Sequence, residues 1–261
     1  MNRAVVVGAR GFVGSAFVRY LKQRPIELVE VTSQNYPEQA GCAADVVIQA
    51  ACNSRKYLAD QDPVAEFELS VTHCLRTLRD FPAALHVHIS SVDVYADLAN
   101  PAANTEESSN DVARISKYGL HKLLAEELVR HYASRWLIVR LAGMVGPGLR
   151  KNPVFDVLNK QPLHIHPDSQ YQFAATDVVA ERVWHLVEGG EAGQVFNLCG
   201  RGLVSPRQIA ELAGREMDLS LVLAKEQPRI VDINIGKVSS HFEMPPSLEA
   251  VRAFVESYHR Q

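Results

Sequence analysis

Three glycines spaced three apart, Gly8-Ala-Arg-Gly11-Phe-Val-Gly14, constrain this chain more than any other feature. They follow Arg3-Ala-Val-Val-Val, an apolar run suited to a buried parallel strand. They open a segment whose apolar positions Phe12, Val13, Ala16, Phe17, Tyr20 and Leu21 recur at helical spacing. A strand, a glycine turn and a helix N-terminus together make an anion site. Glycines let the backbone approach a pyrophosphate, and the free N–H groups of the first helical turn point at it. The spacing is G-x-x-G-x-x-G rather than G-x-G-x-x-G. A tight turn without a ligand is the alternative, and the strand-turn-helix context favours dinucleotide binding by Gly8, Gly11, Phe12, Val13 and Gly14.

Strands and helices alternate through about the first two thirds of the chain, which predicts an α/β fold with a doubly wound parallel sheet. Ile26–Thr32 and Asp45–Ala51 read as the second and third strands. The residues between them are too few for a full strand-helix-strand crossover, so one sheet element is expected to be trimmed there. Asp62-Pro63 reads as the N-cap and first position of a helix to about Arg79, with Val64, Phe67, Val71, Leu75 and Leu78 on its buried face. His86–Ser91 reads as a strand ending in two hydroxyls, and a polar loop from Ala96 to Asp111 leads to a helix from about Ile115 to Tyr132. Trp136–Arg140 is a further strand, closed by a glycine-rich segment to Gly148. Ser205-Pro-Arg-Gln208 has the capping-box pattern and predicts a helix reaching Met217, and Ser247 opens a terminal helix. A helix at Asp177–Val187 and a strand at Val195–Leu198 return to the main sheet. The expected division is 1–145 plus about 176–199, the dinucleotide-binding domain, and about 146–175 plus 200–261, a smaller domain in two pieces.

Tyr118 and Lys122 lie four apart in the Ile115–Tyr132 segment, so both side chains leave one face of the helix. An ammonium beside a phenol stabilises the phenolate and pulls the Tyr pKa toward neutrality, turning a hydroxyl into an acid/base for a carbonyl oxygen. The rest of the composition is compatible with a small-molecule enzyme. With 261 residues, 47% of them hydrophobic, and net charge −3, the chain can bury a large core and needs no nucleic-acid partner. No apolar run reaches membrane-spanning length, and no signal peptide is expected ahead of the first strand. Cys42, Cys52, Cys74 and Cys199 lack C-x-x-C spacing, which suits a cytoplasmic setting. His86/His88 and His164/His166 alternate as same-face pairs without a Cys, Asp or Glu at ligand spacing, so no metal is expected.

Taken in order, Gly8/Gly11/Gly14, Ser90-Ser-Val-Asp-Val-Tyr95, Tyr118/Lys122, Arg140–Gly148 and Val195–Leu198 resemble the extended short-chain dehydrogenase/reductases, also called the NAD-dependent epimerase/dehydratase family. The resemblance covers most of the chain and implies a Rossmann-type sheet with a smaller, discontinuous C-terminal substrate-binding domain. It implies a catalytic set of Ser91, Tyr118 and Lys122, with Ser91 hydrogen-bonding the developing alkoxide and Lys122 holding the nicotinamide ribose. Ala50, Ala51 and Cys52 fall where the family lines the way to that ribose. Asp93, Gly143 and Gln170 fall, with Ser91, at substrate-facing positions. The implied partners are a small-molecule substrate and a second copy of the chain in a homodimer.

The departures are as informative. Gly143 replaces the usual Asn, and Gln170 stands where an arginine often grips a substrate pyrophosphate. Arg150, Lys151 or Arg201 could replace it. Val92-Asp93 lacks the Asp-Glu pair of the dehydratases, leaving Asp93 as a second acid/base or as a loop cap. The expected activity is an NAD(P)-dependent oxidoreductase or epimerase of a sugar or sugar nucleotide. The alternatives are an NADPH-dependent reductase of a non-sugar carbonyl and a non-catalytic dinucleotide sensor. NADP(H) is favoured, because Thr32, Ser33 and Gln34 follow the second strand without a carboxylate and Arg10 lies in the glycine turn, as in the NADPH-using GDP-fucose synthases. NAD(H) is the alternative if Glu30 reaches the ribose.

Overall fold

The computed structural model describes residues 1–109, 111–223 and 227–260. The chain forms β1 (Arg3–Val7), α1 (Gly14–Leu21), β2 (Glu27–Val31), α2 (Tyr36–Gln39), β3 (Ala44–Gln49), α3 (Leu58–Gln61), α4 (Pro63–Phe67), α5 (His73–Asp80), β4 (Ala83–Ser91), α6 (Lys117–Tyr132), β5 (Trp136–Leu141), β6 (Gly143–Val145), α7 (Pro153–Leu158), β7 (Gln170–Tyr171), β8 (Phe173–Ala175), α8 (Thr176–Glu188), β9 (Gln194–Leu198), α9 (Pro206–Leu212), and a terminal helix Ser247–Tyr258. Six strands make one sheet in the order β2-β1-β3-β4-β5-β9. The β1–β2, β1–β3 and β3–β4 pairs are parallel. The order reverses at β1, which is the Rossmann arrangement and opens a crevice beyond the carboxyl ends of β1 and β3. Contrary to expectation no sheet element is trimmed between β2 and β3: β2 has five residues and β3 six, and it is the connecting helix α2 that is cut to four.

The chain divides into two units. The first comprises Met1–Ala96, Ser109–Arg140 and Val179–Phe196. Its core has Val5, Val7, Val31, Val47 and Phe81 in one cluster and Cys74, Ala125, Val129, Ile138 and Val195 in another. The second comprises Asp97–Ser108, Leu141–Val178 and Asn197–Gln261, and its core joins Val145, Val154, Leu158, Phe173, Val204, Ile209, Val251 and Val255. Within it β6 pairs with β8 in parallel, and Asn104 ties the Asp97–Ser108 segment to the backbone of Asp232 and Asn234.

Two helices differ from expectation. The Ser205 capping box forms, yet α9 stops at Leu212, because Gly214 takes φ +65° and ends the turn. The Asp62-capped helix is not a single α-helix. A π-helical turn, Glu68–Thr72, interrupts it between α4 and α5. Its exposed and buried faces are also largely reversed. Val64 is 72% exposed and Phe67 39%, Leu75 is exposed, and of the expected face only Val71 is fully buried. Glu66, Ser70, Cys74 and Thr77 lie inside instead.

Candidate active site

The glycine turn is held by its own backbone. The amides of Gly8 and Ala9 both donate to the Val31 carbonyl, and Gly11 N donates to the Gly8 carbonyl at 2.8 Å. Gly8 has φ +86°, and a Cβ there would lie 2.7 Å from Ala51 N. A Cβ on Gly14 would lie 2.1 Å from Gly8 O, so the N-terminus of α1 is pressed onto the turn. These positions require glycine, and the start of α1 is closed onto the turn, Ser15 N donating to Gly11 O and Ala16 N to Val13 O. Ala50 N donates to Val7 O at 3.0 Å, which brings the Ala50–Ala51 segment beyond β3 alongside the turn.

At the end of β2 the strand runs through Glu30 to Val31. The Glu30 carboxylate pairs with Lys22 at 2.7 Å. Thr32 is the first residue past the strand, and both its amide and its hydroxyl donate to Asn35 Oδ1. Arg10 is exposed, and its guanidinium donates to Gln34 Oε1 at 3.1 Å.

The two hydroxyls ending β4 face different partners. Ser90 Oγ donates to Glu126 at 2.6 Å. Ser91 Oγ donates to Asp93 Oδ2 at 2.7 Å and accepts from the Asp93 amide. Lys56, from the loop after β3, completes this group with its ammonium 2.6 Å from Asp93 Oδ2. Helix α6 starts at Ser116, whose hydroxyl accepts from Gly119 N, and this places Tyr118 and Lys122 in its first turns. Both are buried. Lys122 Nζ lies 5.5 Å from the Tyr118 ring centroid and Lys56 Nζ 6.0 Å. The Tyr118 hydroxyl donates to the Asn53 carbonyl at 3.3 Å.

Burial dominates the protonation of this pair. It pushes the Tyr118 phenol above its ordinary value; Lys122 pulls it down, while Cys52, Asp93 and Glu66 push it further up. The Tyr118 phenol therefore does not show the expected drop toward neutrality. For Lys122, burial acts against the ammonium, but Cys52, Tyr118 and Glu66 outweigh it and its pKa lies above the ordinary value. Tyr118 is therefore a protonated phenol beside a charged ammonium.

Gly143 and Gln170 belong to the second unit. Gly143 lies in β6, its amide donating to Gln172 O at 3.1 Å, and Gln170 is exposed in β7. Arg201 is committed elsewhere, to Met244 O and to the Glu243 carboxylate. Sequence reasoning missed Lys56, Glu66 and His121, whose partners lie far off along the chain. Among the described residues no group of three or more His, Cys, Asp or Glu stands where it could hold a metal ion, and no helix is long and apolar enough to cross a membrane.

The model of the NAD-dependent epimerase/dehydratase family matches residues 4–68 and 43–199. The chain is 25% identical over 258 residues to GDP-6-deoxy-D-mannose reductase of Pseudomonas aeruginosa, covering 88% of this chain and 84% of that protein. Its fold is similar to that of a UDP-galactose 4-epimerase, with TM-score 0.78 and 23% identity over 99% of each chain. It is also similar to that of RMD from Pseudomonas aeruginosa complexed with NADPH, with TM-score 0.78 and 22% identity over 99% of this chain and 100% of the other.

Proposed function

The chain belongs to the NAD-dependent epimerase/dehydratase family, enzymes of the extended short-chain dehydrogenase/reductase type, and on that footing we propose that it is an NADP(H)-dependent reductase or epimerase of a sugar nucleotide. The observation that carries this reading is the Tyr118–Lys122 pair, buried on one face of α6 in the same unit as the glycine turn. The residues present fit the dinucleotide. Gly8, Gly11 and Gly14 leave the room that a Cβ would fill, and the backbone at Phe12 and Val13, leading into α1, takes the pyrophosphate. Arg10, Thr32 and Ser33 take the 2′-phosphate, and Ala50, Ala51 and Cys52 line the way to Lys122.

When bound, the cofactor supplies or accepts a hydride at the substrate carbon. Tyr118 moves the proton on the attached oxygen. Lys122 holds the ribose and keeps a positive charge beside the phenol. Ser91 hydrogen-bonds the same oxygen once its proton turns away from Asp93, and Lys56 stabilises the carboxylate left behind. The GDP- and UDP-sugar names among the relatives support a sugar-nucleotide substrate. Gln170 and Gly143 favour a second reading, a reductase of a non-sugar carbonyl, because Gln170 lacks the guanidinium expected at a pyrophosphate and Gly143 lacks the usual Asn side chain. We further place the enzyme in the cytoplasm, where Cys42, Cys52, Cys74 and Cys199 stay as the free thiols seen here, and as a homodimer.

Offering the protein NADPH with a panel of nucleoside-diphosphate ketosugars and simple ketones tests the reading through the loss of reduced-nicotinamide absorbance. Turnover of a nucleotide sugar is expected. Turnover confined to simple ketones moves the assignment to the second reading, and tight cofactor binding without any turnover would make the chain a sensor.

A further inference from the structure

The loop after β3 carries a lysine to the edge of the candidate site and holds it there. Asn53 closes the loop on itself, its Oδ1 accepting from Arg55 N at 2.8 Å and its Nδ2 donating to Arg55 O at 2.9 Å. Leu58 N donates to the Arg55 carbonyl and Ala59 N to that of Lys56, so the backbone of Lys56 is fixed on both sides. From this position Lys56 Nζ reaches Asp93 Oδ2 at 2.6 Å, the same oxygen that accepts from Ser91 Oγ. It also lies 6.0 Å from the centroid of the Tyr118 ring. Lys56 is the open member of a closed group: its side chain is 63% exposed and that of Asp93 10%, while Ser91 and Tyr118 are buried. An ion pair with one partner so open to water contributes little stability, so this one is poorly explained as a brace.

A substrate whose reacting oxygen lies between the Ser91 and Tyr118 hydroxyls brings its neighbouring carbon against whatever flanks them. Lys56 Nζ flanks both, one carboxylate oxygen away from Ser91 and beside the Tyr118 ring. It has three N–H donors, of which Asp93 engages one. A hydroxyl on that carbon matches the pair, accepting from Nζ and donating to the carboxylate. A carboxylate there would face Asp93, and a methylene would leave the pair's polar atoms without a partner. We propose that Lys56 is a specificity-determining residue, reading with Asp93 a hydroxyl on the carbon next to the reacting carbonyl, so that the substrate class is the α-hydroxy ketones. This deepens the function proposed above and rests on Ser91 and Tyr118 holding the reacting oxygen.

The test compares kcat/KM for two substrates that differ only in that hydroxyl, in wild type and Lys56→Met with saturating NADPH. The pair is a nucleoside-diphosphate 4-ketohexose and its 3-deoxy counterpart, or hydroxyacetone and acetone if only simple ketones turn over. Wild type should prefer the hydroxylated partner. Lys56→Met should lower that preference about ten- to a hundredfold, the scale of one hydrogen bond lost from an ion-paired site. A lysine that only held Asp93 in place would slow both substrates alike and leave the preference intact. An active wild type that does not discriminate, or a preference unchanged in Lys56→Met, overturns the role of Lys56 alone. Near-normal turnover in Tyr118→Phe sinks the acid/base reading beneath it, and the two failures are thereby told apart.

Discussion

Arg140 and Glu126 meet in a fork, Nε to Oε1 at 3.0 Å and Nη2 to Oε2 at 2.7 Å, where almost no water reaches either side chain. The same carboxylate accepts from Ser90, and the guanidinium donates to the Tyr95 hydroxyl at 2.7 Å. One ion pair thus joins α6, β5, the end of β4 and the turn beyond it. Burial alone would raise the Glu126 pKa, but hydrogen bonds and charge from Arg140 outweigh it and hold the carboxyl below its ordinary 4.5. The stabilisation is complete above the ordinary value and is lost as pH falls through the lowered one.

Removing one partner leaves the other charge buried and alone. Glu126→Gln is expected to cost about 3–5 kcal/mol in urea unfolding at neutral pH. The loss should shrink as pH falls below the ordinary 4.5 and through the lowered value, where the wild-type carboxylate is itself protonated. A variant as stable as wild type at pH 7 would show that the fork contributes nothing.

The paired hydroxyls, glycine turn and Tyr-Lys spacing were legible because each is local: a strand end, a turn and one helix face. The group at Asp93 was not. Lys56 reaches it from another loop, and nothing near Lys56 in the chain announces that contact. Glu66 and His121 are 55 residues apart, and a lone Glu on a helix reads as solvated. The face of α4 and α5 was misread for a related reason. Apolar periodicity locates a stripe but not what covers it, and here Val64, Phe67 and Leu69 face outward while Glu66 and Ser70 face in. The π-turn adds a residue to the helical repeat and rotates everything after it, which a strict period cannot follow.

That outward face bears on assembly. Val64, Phe67, Leu69 and Leu75, with Leu124 on α6, are large apolar side chains left exposed. The protein is expected to be a dimer in light scattering at micromolar concentration. Val64→Asp combined with Leu69→Asp should leave a folded monomer. A monomeric wild type would remove the homodimer.

His88 and His86 are buried on β4, and among the described residues His88 Nε2 and His86 Nδ1 have no hydrogen-bond partner. Burial lowers His88 from 6.5 to about 3 and His86 to about 4. Both are neutral in the fold, while the unfolded chain takes up their protons below pH 6.5. The stability they confer is complete above 6.5 and declines as pH falls toward those lowered values. Each histidine should remove about 2 kcal/mol between pH 6.5 and 5. Unfolding of wild type and His88→Leu at pH 7 and pH 5 measures this. The variant should lose about 2 kcal/mol less, and equal losses would mean that His88 is not held neutral.

Tyr118→Phe keeps the ring in its buried place and removes only the hydroxyl bonded to Asn53 O. It should keep NADPH affinity and lower kcat at least about a hundredfold, the usual scale of general acid/base catalysis. Lys122→Ala should lose cofactor affinity as well as activity. Single-turnover kinetics alongside fluorescence titration separates the two effects, and a Tyr118→Phe variant with near-normal turnover would end the proposed chemistry.

Cofactor preference turns on Arg10. Glu30, the carboxylate able to claim an adenosine ribose, lies inside β2 and is paired with Lys22, while Thr32 and Ser33 lead away from the strand with hydroxyls only. Arg10 is exposed, and among the described residues it bonds the neutral amide of Gln34, a partner that a phosphate dianion would displace readily. NADPH should therefore bind more tightly than NADH. Arg10→Ala should weaken NADPH by about ten- to a hundredfold, the scale of a charge-assisted contact, and leave NADH almost unchanged. Raising the salt concentration should erode the NADPH preference of wild type and not that of the variant. Fluorescence titrations of both cofactors decide the matter: tighter NADH binding in wild type, or an unchanged NADPH affinity in Arg10→Ala, would return the ribose to Glu30.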